Sequence, residues 1–274
     1  MPKQGRRARL DSELVRRGLA TSRERAAGLI ADGRVQVAGR PATKAATRVE
    51  SGAAIVVRAG DTGPGYVSRG GHKLAGALAA FTGLRVAGRT CLDAGASTGG
   101  FTDVLLRAGA TRVVAVDVGY GQLAWKLRED PRVAVLERTN IRDLTPEDVG
   151  EPAPGLTVGD LSFISLSLVL PALVRCAAPA ADHVLMVKPQ FEVGRGRVGA
   201  GGVVRDPELR AEAVRRVADA AATLGLGARG VTASPLPGPS GNVEYFLWLA
   251  AGAPPLADTS VQTAIAEGPQ GPAG

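Results

Sequence analysis

The chain has 274 residues, 45% of them hydrophobic, with two cysteines and two histidines. That length allows one large domain plus a small one, no apolar run reaches the roughly 18–20 residues of a membrane helix, and so few Cys and His make no zinc signature or other metal site. The net charge of +7 is unevenly placed: residues 1–58 hold 13 Lys and Arg against 5 acids, and residues 59–274 hold 20 against 21. A basic module joined to a near-neutral body points to a polyanion as partner, with nucleic acid first in line.

The start, Met1-Pro2-Lys3-Gln4-Gly5-Arg6-Arg7, is basic but has no apolar signal core behind it, so a cytoplasmic location is expected. Cys91 and Cys176 lie in apolar surroundings and read as buried, reduced thiols. Arginine outnumbers lysine 28 to 5. Where Lys does occur (Lys3, Lys44, Lys73, Lys126, Lys188), an amine that can lose its proton is a reason to look there, because Arg cannot supply one.

Residues 9–58 predict two short helices and a small sheet. Asp11 to Arg17 carries Leu14 and Val15 on one face; Ser22 opens a second helix with Ala26, Leu29 and Ile30 as its apolar stripe and Gly33 as its stop. Val35-Gln36-Val37 and Ala54 to Val57 read as strands. The pattern Arg9-Leu10-Asp11, Leu14, Arg17, Ser22-Arg23, Ala26, Ile30, Gly33, Val35, Val37 resembles the S4-type RNA-binding module over about fifty residues. The resemblance implies an α+β RNA-binding domain over residues 1–58, with Arg9, Arg16, Arg17, Arg23, Arg25 and Arg34 facing phosphates.

Residues 59–67 read as a Gly- and Pro-containing linker, and the next segment, 68–251, as an α/β domain. A helix opens at Ser68-Arg69-Gly70-Gly71-His72-Lys73, with Leu74, Leu78 and Phe81 toward a core. Strands are predicted at 90–93, 112–116, 133–136, 156–158, 183–187, 229–233 and 245–249, and helices at about 100–108, 121–129, 166–177 and 206–224. Seven strands alternating with helices predict a doubly wound, Rossmann-like sheet whose last two strands return on each other. The tail from Gly252 has four prolines and little periodicity and is expected to be disordered.

The first predicted strand runs into Asp93-Ala94-Gly95-Ala96-Ser97-Thr98-Gly99-Gly100-Phe101. Strand, glycine loop and helix is the layout that holds an adenosine cofactor at a sheet edge. The loop lacks Gly-x-Gly-x-x-Gly and Gly-Lys-Ser/Thr, which argues against nicotinamide and nucleotide triphosphates. Asp93 suits a positively charged ligand, and Asp117, ending the second strand, suits ribose hydroxyls; together they fit S-adenosylmethionine. Asn140 and Asp143 are candidates for the adenine edge. Asp160 ends the fourth predicted strand, Lys188 the fifth, Glu244 precedes the seventh, and Lys73 opens the helix before the first, so two acids and two lysines converge on one edge.

In order and context, Lys73, Asp160, Lys188 and Glu244 match the Lys-Asp-Lys-Glu tetrad of the FtsJ-like RNA ribose 2′-O-methyltransferases. With the S4-like module, Ser68–Leu74, Asp93–Phe101, Val187–Glu192 and Pro237–Tyr245, the chain resembles the TlyA-type ribosomal RNA methyltransferases from residue 9 to about 250. That resemblance implies S-adenosylmethionine as methyl donor, cytidine ribose 2′-O-methylation, catalytic Lys73, Asp160, Lys188 and Glu244, and ribosomal RNA or subunits as partners of a monomer. Two rivals stand beside it. An RNA base N-methyltransferase would present an Asn/Asp-Pro-Pro-aromatic loop, whereas the chain has Asp160-Leu161-Ser162-Phe163; a non-catalytic RNA-binding protein would not bind the cofactor. Members of the family also carry the label haemolysin, but the sequence has no long basic amphipathic helix to support pore formation.

Overall fold

The computed structural model describes residues 7–20, 22–31, 33–50, 52–57, 65–238 and 241–268, apart from the side chains of Glu24, Arg25 and Arg195. The chain divides between Ser68 and Arg69 into two units. Of the expected linker at 59–67, residues 59–64 lie outside the described residues.

In the first unit, β1 (Arg7–Arg9) leads directly into α1 (Leu10–Arg16), and α2 (Arg23–Ala31) packs across it. Gly33 takes φ +67, a left-handed turn open to glycine at little cost, and sends the chain into β2 (Val35–Val37). Strands β3 (Arg40–Pro41), β4 (Arg48–Glu50) and β5 (Ile55–Val57) follow. β2 lies between β3 and β5, both antiparallel to it, while β4 pairs with β1. Leu10, Leu14, Ala26, Leu29, Ile30, Val35 and Val49 close a small core, and Leu14, Ala26, Leu29 and Ile30 among them are the helix-face residues the sequence predicts.

The second unit begins with α3 (Gly70–Ala80) and a seven-stranded sheet. In chain order its elements are β6 (Thr90–Ala94), α4 (Gly100–Arg107), β7 (Arg112–Val116), α5 (Trp125–Arg128), β8 (Val133–Leu136), α6 (Pro146–Val149) and β9 (Leu156–Gly159). Then come α7 (Leu170–Arg175), β10 (Asp182–Val187), α8 (Pro189–Glu192), α9 (Pro207–Ala222), β11 (Leu226–Ala233), β12 (Tyr245–Ala251) and α10 (Asp258–Glu267). The sheet order is β11-β12-β10-β9-β6-β7-β8, parallel except for β12, which runs against both neighbours. The chain winds outward from β6 through β7 and β8, then returns to β9 on the other side. The carboxyl ends of β6 and β9 are therefore the switch point where a ligand crevice opens in such sheets.

Three expectations need correction. The tail is not wholly irregular: α10 places Val261, Ala264 and Ile265 in the core beside α9 and β11, and Asp258 pairs with Arg215 at 2.6 Å. Its apolar stripe spans one turn and a residue, too short to stand out beside Pro254 and Pro255; residues 269–274 lie outside the described residues. The helix expected at 166–177 splits at Val169, because Pro171 has no N–H for a continuing helix; a 3-10 turn at Leu166–Leu168 precedes α7. The helix expected at 121–129 is only Trp125–Arg128, since Gly121 takes φ +67 and the preceding residues form a loop.

Candidate active site

At the switch point the chain turns twice at glycine. Gly95 has φ +85, and a Cβ there would lie 2.9 Å from the Asp160 carbonyl oxygen, so both conformation and space demand glycine. The N–H groups of Gly95 and Ala96 both donate to the Val116 carbonyl, locking the loop to β7. Asp117, one residue past β7, then gathers the loop from the other side: its Oδ2 accepts from the Ser97 N–H at 2.8 Å and its Oδ1 from the Gly119 N–H at 2.6 Å. Gly95, Ser97, Asp117, Asn140, Asp160 and Phe163 bound a cavity of about 470 Å³, within the range of small-molecule sites. Asn140 also caps the 3-10 turn Ile141–Asp143 by accepting from the Arg142 N–H at 3.1 Å.

Asp93 lies beneath this loop, fully buried in β6. Its Oδ2 accepts from the Thr102 hydroxyl at 2.6 Å, and its Oδ1 has no hydrogen-bond partner among the described residues. Burial pushes its carboxyl up to about 7, opposed by the Thr102 hydrogen bonds and assisted by the negative charges of Asp160 and Asp117.

Two lysine–carboxylate pairs stand at the same edge. Strand β10 is buried along its whole length and ends at Lys188, the N-cap of α8, with Pro189 in the first helical position. Lys188 Nζ is 2.6 Å from Asp160 Oδ1 and donates to the Ser162 hydroxyl at 2.8 Å. Lys73, on the first turn of α3, puts Nζ 2.5 Å from Glu244 Oε2 and 4.0 Å from the Met186 sulfur. The antiparallel register ends at Val187 opposite Tyr245, so Lys188 and Glu244 are the next residues on neighbouring strands. Lys73, Lys188 and Glu244 are 6%, 7% and 1% exposed. Taking such charges out of water costs several kcal/mol per ion unless each is paired, which is why the pairs form. A Cβ on Gly238 would lie 2.5 Å from Glu244 Oε1, so the Pro237-Gly238 turn needs glycine to pass over this carboxylate.

Known proteins match both units. Residues 66–251 match the model of the FtsJ-like methyltransferase family, and residues 8–55 that of the S4 domain. The chain belongs to the FtsJ-like methyltransferase family. It is 63% identical over 270 residues, 96% of this chain and 99% of the other, to a Mycobacterium tuberculosis protein named 16S/23S rRNA (cytidine-2′-O)-methyltransferase TlyA. It is 39% identical over 238 residues, 87% of this chain and 98% of the other, to Hemolysin A of Brachyspira hyodysenteriae. A solved structure from Streptococcus thermophilus, described provisionally as a hemolysin, superposes with a TM-score of 0.75 at 38% identity and covers 95% of both chains.

The methyl donor of this methyltransferase is S-adenosylmethionine, and the residues present fit it. Asp93 Oδ1 is an unfilled buried acceptor suited to its ammonium; Asp117 retains lone pairs for ribose hydroxyls; Gly95 and Ser97 line the cavity wall beside Asp117.

Not every sequence candidate reaches the cavity. Gly99 (φ +93) is required by packing, because a Cβ there would meet Leu127 Cδ1 at 2.2 Å. Gly100 starts α4, Phe101 is buried with its ring 5.9 Å from that of Phe246, and the Thr98 carbonyl accepts from the Ala124 N–H. These residues shape the turn, Asp143 belongs to the 3-10 turn, and neither it nor Asp93, Lys73, Lys188 or Glu244 lines the cavity, whose wall includes Asp160. Sequence reasoning missed Phe163 and Glu192. Phe163 takes a left-handed φ of +65, is 91% exposed at the cavity mouth and has its ring 5.3 Å from Phe191. Glu192 is buried and reaches back to the loop after Asp160, accepting from the Ser165 hydroxyl at 2.5 Å and the Leu166 N–H at 2.8 Å. Its place in the run Lys188-Pro189-Gln190-Phe191-Glu192 was the available signal.

In the first unit, four expected phosphate-facing arginines are tied to two acids. Asp11 holds Arg9 and Arg23; Glu13 holds Arg16 and Arg17. Arg17 also donates to the Ala53 carbonyl at 2.7 Å, so it fastens α1 to the chain before β5. Arg34 is half-buried, and the Arg25 side chain lies outside the described residues.

Proposed function

We propose that this methyltransferase methylates the 2′-hydroxyl of a cytidine ribose in ribosomal RNA, and that Lys73, Asp160, Lys188 and Glu244 surround the reacting hydroxyl. The observation that carries the reading is the two lysine–carboxylate contacts at one sheet edge, Lys73–Glu244 and Lys188–Asp160, the second reaching the cavity wall through Asp160. The S4 domain, the basic first fifty-eight residues and the name of the Mycobacterium tuberculosis relative support ribosomal RNA and cytidine. The same reading puts the enzyme in the cytoplasm, with ribosomal RNA or ribosomal subunits as its partners.

A ribose hydroxyl is a poor nucleophile at neutral pH, so catalysis needs alignment and a way to manage its proton. Bound S-adenosylmethionine supplies an electrophilic methyl group on sulfur. In this proposal Lys188, fixed by Asp160 and Ser162, meets the hydroxyl oxygen and stabilises the negative charge that grows there as the proton leaves into the lysine–carboxylate network. Lys73, fixed by Glu244, adds a second positive charge and orients the hydroxyl. The oxygen–methyl bond forms as the sulfur–methyl bond breaks, and the proton is released to solvent through the network. Asp93, Asp117, Gly95, Ser97 and Asn140 hold the cofactor in this reading, with Thr98, Gly99, Gly100 and Phe101 keeping the loop in shape.

The test is transfer of labelled methyl groups from S-adenosylmethionine to purified ribosomal subunits, followed by digestion to nucleosides. The label is expected in 2′-O-methylcytidine. Label in a methylated base supports a base N-methyltransferase, and no cofactor binding by calorimetry supports a non-catalytic RNA-binding protein; either result refutes the proposal.

A further inference from the structure

Asp11 is a buried acid in the most basic stretch of the chain. It is the second residue of α1 and 4% exposed. The Ser12 N–H donates to its Oδ1 at 2.7 Å, which fixes the carboxylate to the start of the helix. Two guanidinium groups from different elements then converge on it. Arg9, ending β1, donates from Nη2 to Oδ2 at 2.8 Å and from Nε to Oδ1 at 3.1 Å. Arg23, opening α2, donates from Nη2 to the same Oδ2 at 3.2 Å. The two arginine side chains are 47% and 60% exposed.

This arrangement lowers the net charge of the face, since one acid offsets one of two bases. What it adds is order. A guanidinium has five donors in a rigid fork, and Asp11 engages two from Arg9 and one from Arg23 while both groups stay open to solvent. These bonds narrow the rotamer freedom of both arginines on folding, before any partner arrives, so less of it remains to be lost on binding. Glu13 makes a different use of the same chemistry, because one of its arginines, Arg17, is turned inward to the Ala53 carbonyl.

We propose that Asp11 is a positioning residue that holds Arg9 and Arg23 as a preformed two-guanidinium clamp for phosphates of ribosomal RNA. The proposal rests on the reading that the S4 unit binds that RNA, and its sign separates it from plain charge attraction. Asp11→Asn raises the net charge by one, so a purely electrostatic surface would bind RNA more tightly; a clamp that has lost its anchor binds more weakly.

The experiment measures binding of the full-length protein to purified large ribosomal subunits between 50 and 200 mM KCl, with S-adenosylmethionine affinity as the internal control. Asp11→Asn is expected to weaken subunit binding by about tenfold, to reduce the slope of log affinity against log salt by about one to two, and to leave cofactor affinity unchanged. In an Arg9→Ala/Arg23→Ala background, Asp11→Asn is expected to add nothing. A further loss in that background would make Asp11 merely structural and overturn the proposal, as would unchanged or tighter binding by Asp11→Asn alone. Arg9→Lys/Arg23→Lys keeps both charges and the fold but loses the planar fork; it is expected to bind about fivefold more weakly, and wild-type affinity in it would overturn the clamp. If Arg9→Ala/Arg23→Ala binds subunits like the wild type, the reading of this face as RNA-binding fails first.

Discussion

Both units set an acid against a base at their proposed working surface, and they differ in which partner is hidden. In the S4 unit the acids are buried and the arginines open: Asp11 and Glu13 lie inside, and Arg9, Arg16 and Arg23 reach solvent. In the methyltransferase unit the lysines themselves are buried, Lys73 with a buried Glu244 and Lys188 with a half-buried Asp160. An exposed guanidinium can exchange water for an external phosphate at small cost, which suits recognition. A buried lysine is held in one place in a medium where its charge acts strongly on a neighbouring atom, which suits chemistry. Sequence composition does not show this division, since arginine outnumbers lysine 11 to 2 in residues 1–58 and 17 to 3 beyond them; the difference lies in where Lys73 and Lys188 are placed.

If the comparison holds, substitutions in the two units fail differently. The largest effect is expected from Lys188→Ala and Lys188→Arg, which lose at least about a thousandfold in single-turnover methyl transfer at saturating subunits, with subunit affinity unchanged. Wild-type rates in either would remove Lys188 from its central role. Glu244→Ala strands the Lys73 charge in a buried site, so calorimetric unfolding should show a loss of about 3–5 kcal/mol, and transfer should fail while the remaining folded protein still binds cofactor. Gly238→Ala should reproduce the transfer defect by displacing the Glu244 carboxylate.

A smaller effect is pH-dependent. Burial raises the folded Asp93 carboxyl to about 7, so in the proposed cofactor site it is neutral below that pH and no longer attracts an ammonium group. S-adenosylmethionine affinity should weaken by up to about tenfold per pH unit below 7, and Asp93→Asn should bind weakly at every pH with that dependence gone. The linked stability runs the other way. The folded state takes up a proton more readily than the unfolded one, so the contribution of Asp93 to stability is present at low pH and is lost as pH rises from about 4 through 7. The smallest effect is expected at Arg17, where Arg17→Ala should destabilise the S4 unit by about 1–2 kcal/mol through the lost bonds to Glu13 and Ala53, with no change in transfer at saturating RNA.

The seven strands were legible because buried parallel strands are continuous apolar runs between glycine turns, and their observed ends fall within a few residues of the expected ones. The glycine loop was legible in outline, since Gly95 and Asp117 follow directly from strand ends. Its details were not: Gly99 is fixed by Leu127, twenty-eight positions on, and no local pattern records that contact. Glu192 was hidden for the same reason, because its partners Ser165 and Leu166 come from an earlier loop. Helix α10 was missed because a three-residue apolar stripe is weak until α9 and β11 cover it. The sequence names the arginines of the first unit only as a set; their division between Asp11 and Glu13 needed the fold to bring α2 and β1 to the same carboxylate.

The most direct test is a map of ribose methylation across the ribosomal RNA of cells that carry the wild-type chain, no copy of it, or its Lys188→Ala form. At least one cytidine 2′-O-methyl mark is expected with the wild type and absent in the other two. A map in which every 2′-O mark survives loss of the chain, or in which the mark persists with Lys188→Ala, would contradict the proposed function.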